Sequence, residues 1–321
     1  MKGKRSKKDV REFGLNLGDN LIQLYQELSS LSYVHGSYDA FKISDPKPRD
    51  IHKAKVRDRV LHHAIYRQIY PFFNRTFIAD SFSCQLNKGS HKALRRFKFF
   101  ARKVSRNNTK TTWILKCDIR KFFASIDHKI LASILYGYIP DQKIQWLIER
   151  ILNSFNSGTK GKGLPLGNLT SQLFCNIYMN EFDQFVKHKL KVKYYIRYAD
   201  DFCFFSNGKD CLAKLIPRLE AFLGSRLELN LHPKKIFIKT LNSGVDFLGW
   251  VHFDSHSVMR TVTKKRAFKK IKENPKESVI NSYLGLASHG NAFKLKQELL
   301  NAYGLWTTTL FEPMIRNMTS D

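Results

Sequence analysis

Two apolar runs in this chain end in carboxylates, and that pairing narrows its architecture more than any other feature. Residues 111–118, TTWILKCD, set Trp113, Leu115 and Cys117 on one side and Ile114 and Lys116 on the other. That alternation has the period of a β-strand, and it closes on Asp118. Residues 193–205, KYYIRYADDFCFF, form two apolar strand runs separated by Asp200 and Asp201. Adjacent like charges at a turn do nothing for stability, although Asp-rich turns are common and structural in their own right. A second acid at the end of a different strand changes that reading. Neighbouring strands of one sheet would bring Asp118 and Asp200 together at the strand ends. Converging carboxylates need a counter-charge, and Mg²⁺ is the hard cation suited to oxygen ligands.

The partner must be acidic. Fifty-five Lys and Arg oppose 27 Asp and Glu, a net +28 in 321 residues. Each neutralised phosphate releases counterions, so an excess of this size favours a polyanion. A membrane surface is anionic too, and charge alone does not choose between them. No run approaches the roughly eighteen apolar residues of a spanning helix, and the basic start, MKGKRSKKDV, lacks the apolar stretch of a signal peptide. The five cysteines (Cys84, Cys117, Cys175, Cys203, Cys211) are scattered and form no CxxC pair. They are expected to be small core residues of a reduced protein, which places the chain in the cytoplasm with no membrane partner. Two metal ions about 4 Å apart activate a hydroxyl and stabilise a leaving pyrophosphate. Within a polycationic chain, the acid constellation therefore reads as nucleotidyl transfer.

Along the chain, residues 1–11 read as a solvated basic tail or a nucleic-acid arm. Helices are predicted over 15–31 and 54–69, the second with Val56, Val60, Ala64 and Ile69 inward. Residues 91–110 carry eight Lys or Arg and no acid, interleaved with Phe97, Phe99 and Phe100. That pattern fits a wet helix face or a nucleic-acid contact. Further helices are predicted over 128–138, 141–155, near 169–189 and over 209–224. KKIFIKT and VDFLGWVHF read as strands, and the C-terminal 60 residues as mainly helical. The irregular alternation implies an α+β fold.

The ordered segments DIRKFFASID, GLPLGNLTSQLFCNIY, YADDF, LELNLHPKKI and FLGW resemble the motifs of prokaryotic reverse transcriptases. Upstream, KPRDIHKAKVRDRVLHHAI and FIADSFSCQLNKGSHKAL resemble that family's fingers motifs, and ESVINSYLGLASHGNAFKLKQ more loosely its thumb. The resemblance implies a right-hand polymerase: N-terminal extension and fingers over 1–110, palm over 111–252, and helical thumb over 253–321. The palm would combine an antiparallel sheet with helices and hold a fingers-like insertion at about 128–165. It implies that Asp118, Asp200, Asp201 and the backbone carbonyl of Ile119 hold two Mg²⁺ ions, with Mn²⁺ able to substitute. Phe123 would be the steric gate that selects dNTPs, its alternative role being core packing, which is also the reading of Phe122. Arg49, Lys47 and Arg57 would hold the incoming triphosphate. Lys235, with Lys234 as a substitute, would donate a proton to pyrophosphate.

At the loop entering the long helix the common pattern is PQG followed by SP. Here Pro165, Leu166 and Gly167 are followed by Ser171 and Gln172. An aliphatic residue before the glycine with SQ after it resembles the reverse transcriptases of diversity-generating retroelements. That resemblance implies cDNA made with errors at adenines from a template-repeat RNA, and a compact enzyme that holds template RNA and the RNA/cDNA duplex. It also implies work alongside a small basic pentameric accessory protein. Leu166, Gly167 and Gln172 would contact the nascent pair. The rival readings are a retron or phage-defence reverse transcriptase and a catalytically inactive RNA-binding protein.

Overall fold

A computed structural model of the chain describes residues 4, 6–44, 48–274, 276–288 and 290–302. In chain order the elements begin with α1 (Lys8–Leu15), α2 (Leu17–Ser29), β1 (Tyr38–Ile43), β2 (Arg49–Ala54), α3 (Val56–Thr76) and α4 (Ser90–Val104). Next come β3 (Trp113–Asp118), α5 (Phe122–Ser125), α6 (His128–Tyr136), α7 (Gln142–Asn153), α8 (Leu169–Gln184), β4 (Tyr195–Tyr198) and β5 (Asp201–Ser206). The remainder is α9 (Lys209–Ala213), α10 (Ile216–Leu227), β6 (Phe237–Thr240), β7 (Val245–Phe247), β8 (Trp250–His252), β9 (Ser257–Met259), α11 (Thr261–Glu273), α12 (Glu277–Ala287) and α13 (Phe293–Asn301). Among the described residues three sheets form, ordered β1-β2, β4-β5-β3-β6 and β7-β8-β9. Among the described residues no helix is long and apolar enough to cross a membrane.

The chain divides into two compact units that interleave in sequence. One comprises Met1–Gly89, Leu115–Phe204 and Asp210–Phe237, and the other Ser90–Ile114, Phe205–Lys209 and Ile238–Asp321. The first is organised on α8, which is buried nearly all round, as a helix at the centre of a core must be. Its polar residues are satisfied internally: Asn176 Nδ2 donates to the Ser83 carbonyl at 2.9 Å, and Gln184 Nε2 to that of Thr76 at 2.8 Å. In the second unit Phe97 is fully buried and packs on Phe205, Phe247 and His252 at ring separations of 4.9, 5.2 and 4.5 Å.

Several local expectations change. The basic N-terminal segment is not all solvated tail, because α1 begins at Lys8 and buries Val10. The inner face of α3 is Asp58, Leu61, His62, Ile65 and Ile69, whereas Val56 and Val60 are half-buried and Ala64 is exposed. Asp58 can lie inside because its carboxylate accepts from Tyr33 Oη at 2.8 Å and the Gly36 amide at 3.2 Å. A count of apolar residues cannot see such a satisfied polar group. VDFLGWVHF is two strands: β7 and β8 pair antiparallel, with Phe247 opposite Trp250. The turn residues Leu248 and Gly249 both have positive φ, +50° and +84°, as a two-residue hairpin loop requires. Cys84 and Cys211 are exposed, so only Cys117, Cys175 and Cys203 behave as core residues.

One internal tie is ionic and fully buried. Arg197 on β4 donates Nε and Nη2 to the two oxygens of Asp183 at 2.8 and 2.6 Å. Both side chains are essentially inaccessible, and Tyr195 Oη donates to Asp183 at 2.7 Å. Arg197→Ala would leave the carboxylate buried without its cation. The expected loss is about 3–5 kcal/mol of unfolding free energy, read from urea midpoints; a loss below about 1 kcal/mol would show that water replaces the guanidinium there.

Candidate active site

The acids converge because two strand ends are tied by main-chain bonds. β4 and β5 pair antiparallel with Tyr198 opposite Asp201, so Ala199 and Asp200 form a two-residue turn. Ala199 takes a left-handed φ of +57°, a conformation disfavoured for a residue with a Cβ. The Arg197 guanidinium holds it, donating Nη1 to the Ala199 carbonyl at 3.0 Å. The amide of Ile119, next to Asp118, donates to the Asp200 carbonyl at 3.2 Å. On the other side of Asp118, its carbonyl accepts from the His232 amide at 2.7 Å, and Arg120 N donates to the Asn230 carbonyl at 2.9 Å. The end of β3 is thereby pinned between the turn and the segment that leads to Lys235.

Charge at this spot is unbalanced in a way that the residues partly correct. Burial raises the pKa of Asp200, and the neighbouring Asp118 carboxylate raises it further, while Lys235 and Arg49 pull it down. Asp201 is pushed up to about 6 by burial, against the opposing effect of Lys116. Lys116 Nζ lies 3.1 Å from Asp201 Oδ2 and Lys235 Nζ 2.7 Å from Asp118 Oδ1. Asp201 Oδ1 is buried with no hydrogen-bond partner. Among the described residues no three acidic, His or Cys side chains meet in metal-ligating geometry. The donor set still fits a hard divalent ion: two neighbouring carboxylates, an orphaned carboxylate oxygen beside them and only monovalent side-chain cations as counter-charge. Asp118 and Asp200 are the pair that would hold it, and Lys116 competes for Asp201.

Of the other expected residues, several gather here. Phe122 is buried and Phe123 half-buried, their rings 5.6 Å apart and nearly perpendicular. The Phe123 carbonyl accepts from the Leu164 amide at 2.8 Å, which stitches α5 to the loop carrying Leu166. Leu166 is half-buried and its carbonyl accepts from His52 N at 2.9 Å. Gly167 has φ +105°, and a Cβ there would stand 2.8 Å from Ile51 Cγ2, so only glycine lets the loop lie against β2. Gln172 is half-buried in the first turn of α8, and Arg49 is exposed at the start of β2. Arg57 points elsewhere: it pairs with Glu27 and lies over the Tyr33 ring at 5.1 Å. Lys234 is exposed, and Lys47 lies outside the described residues.

Two positioning residues escape a motif reading. Asn168 Oδ1 accepts from Ala54 N at 3.0 Å, and its Nδ2 donates to the His52 carbonyl at 2.7 Å, clamping β2 to the Leu166 loop. Arg197 is the other; an arginine inside an otherwise apolar strand was the available signal.

The family described as reverse transcriptase (RNA-dependent DNA polymerase) matches residues 43–252. Protein YkfC of Escherichia coli (strain K12) is 22% identical over 275 residues, covering 74% of this chain and 70% of YkfC. The group II intron-encoded protein LtrA of Lactococcus lactis subsp. cremoris is 23% identical, covering 78% of this chain but 52% of LtrA. Apo telomerase from Candida tropicalis superposes with a TM-score of 0.55 at 12% identity, covering 87% of this chain and 61% of that one. The chain thus spans about half the length of LtrA and about three fifths of the telomerase. The structural likeness is one of fold, a mixed helix-and-sheet right-hand polymerase. With the family's match extending over well more than half of its length, and the strand-end acids inside that match, the chain belongs to the reverse transcriptase (RNA-dependent DNA polymerase) family.

Proposed function

We propose that the chain copies RNA into DNA at the Asp118–Asp200 strand ends, as the polymerase of a diversity-generating retroelement. The observation that carries the polymerase reading is the Ile119 amide to Asp200 carbonyl bond, which brings two acids from separate strands into electrostatic contact beside Arg49 and Lys235. Divalent cations bound by Asp118 and Asp200, Mg²⁺ by preference, would supply the charge that activates a primer hydroxyl and neutralises pyrophosphate. Asp201 and the Ile119 carbonyl complete the proposed ligand set. Arg49, exposed at the start of β2, would take the triphosphate by charge-assisted hydrogen bonds, with Lys47 as its proposed helper. Arg57, engaged with Glu27, is the weaker candidate for that role. Lys235, which pairs with Asp118, would hold a proton near the departing pyrophosphate. Phe123, half-buried where Phe122 is buried, has a ring available to lie beneath the sugar.

The subfamily reading rests on Leu166, Gly167 and Gln172. An aliphatic side chain at 166 offers no hydrogen bond to the nascent pair, which fits an enzyme of low fidelity. Its partners would be template RNA, the RNA/cDNA duplex, dNTPs and a small basic pentameric accessory protein, in the cytoplasm. Flanking DNA separates this from a retron or defence enzyme: a repeat pair differing mainly at adenines belongs to the first, and a structured noncoding RNA without repeats to the second.

Asp118→Asn or Asp200→Asn should lower primer extension by about a thousandfold or more while RNA binding persists. Parallel loss of RNA binding would mark the acids as structural. Phe123→Ala or Phe123→Val should admit ribonucleotides, tested by primer extension with rNTPs alone; unchanged dNTP selection in a folded variant would assign the ring to packing. Leu166→Gln should reduce misincorporation up to about tenfold, most at template adenine, since one hydrogen bond is worth about 0.5–1.5 kcal/mol. Sequencing cDNA from both proteins on one adenine-rich RNA decides it, and identical error spectra would place infidelity elsewhere.

A further inference from the structure

Helix α4 belongs to the compact unit that holds none of the proposed catalytic residues. Its inner face is conventional, with Ala93, Leu94, Phe97, Phe100, Ala101 and Val104 buried. The opposite face is not. Lys92, Arg95, Phe99, Arg102 and Lys103 are exposed and Arg96 half-buried, and residues 90–114 contain eight Lys or Arg without one acid. A solvated helix face ordinarily mixes signs, because like charges at i,i+3 and i,i+4 repel. Among the described residues Lys92, Arg95 and Lys103 have no carboxylate partner. The crowding is felt inside the helix as well: burial, and after it Arg102, lower the pKa of Lys98.

An aromatic ring sits in the middle of this stripe. Phe99 is 45% exposed. The Arg96 guanidinium stands 5.1 Å from its centroid and Lys103 Nζ 5.7 Å, one turn to either side. From Lys92 to Lys103 the stripe runs about 16 Å at the rise of an α-helix, the length of a few nucleotides. A lone ring flanked by cations suits an unpaired base, which can stack on it while its phosphates meet the charges. Duplex bases are already stacked on one another and offer no free face. A lipid surface would call for several apolar side chains and not one.

We propose that this face of α4 binds single-stranded RNA, with a base stacked on Phe99 and the flanking phosphates on Arg95, Arg96 and Lys103. This surface is additional to the polymerase site and needs neither the catalytic acids nor the retroelement assignment. The test uses the full chain and a labelled unstructured RNA oligonucleotide, in fluorescence anisotropy, with saturating primer–template duplex occupying the polymerase site. Phe99→Ala should weaken binding about tenfold and Phe99→Tyr restore it. Arg95→Gln combined with Lys103→Gln should flatten the dependence of log Kd on log salt by about 1.4, roughly 0.7 per phosphate contact. Extension of the pre-annealed duplex should not change. Unaltered affinity and salt slope in both variants would overturn the proposal. So would a loss confined to single-stranded DNA, to duplex RNA or to anionic vesicles run in parallel. Should Phe99→Ala prove unfolded by circular dichroism, the salt slope of the glutamine pair decides alone.

Discussion

The buried pair of Arg197 and Asp183 is the interaction on which the active-site geometry depends. Taking both charges out of water is expensive, and such a pair adds little net stability over apolar residues of the same shape. What it supplies is direction. One guanidinium spends two nitrogens on Asp183 and a third on the Ala199 carbonyl. The turn bearing Asp200 is thus fixed from beneath by α8, the most completely buried helix of its unit. A leucine at 197 would pack, but it would leave Ala199 to find its own conformation, and φ +57° is not the one an alanine chooses.

Above that base the site is poised against itself. Burial, and after it the Asp118 carboxylate, raise the cost of ionising Asp200. Lys235 pairs with Asp118 and Lys116 with Asp201, while Lys235 and Arg49 also favour the charged form of Asp200. A divalent ion would compete with lysine ammonium groups that are already in place. These ion pairs let the folded chain tolerate the acids, and with a cation bound the lysines would be available for other contacts.

The second support is an amide. Asn168 bridges the strand carrying Arg49, through Ala54 N and the His52 carbonyl, and the loop carrying Leu166, through the Pro165 carbonyl. The Leu166 carbonyl takes part in that junction, accepting from the His52 amide.

Much of this was legible beforehand. Strand period located β3, β4 and β5, and acids at the ends of apolar runs marked Asp118, Asp200 and Asp201, because a side-chain repeat of two and the cost of clustered like charge are local facts. The motif order was legible for the same reason, and it assigned the family. Other features were not local. The turn inside VDFLGWVHF hides in continuous apolar sequence, since a Leu-Gly hairpin loop is recognised by its φ angles and not by polarity. The inner face of α3 carries Asp58 because Tyr33 and Gly36, more than twenty residues earlier, supply its hydrogen bonds. Arg57 looks like a phosphate ligand until Glu27 is found against it. The sequence by itself determined which residue types can carry the chemistry and in what order they come. Only the tertiary structure decided which charges meet, because an ion pair depends on distance through space, and no spacing along the chain records the partner.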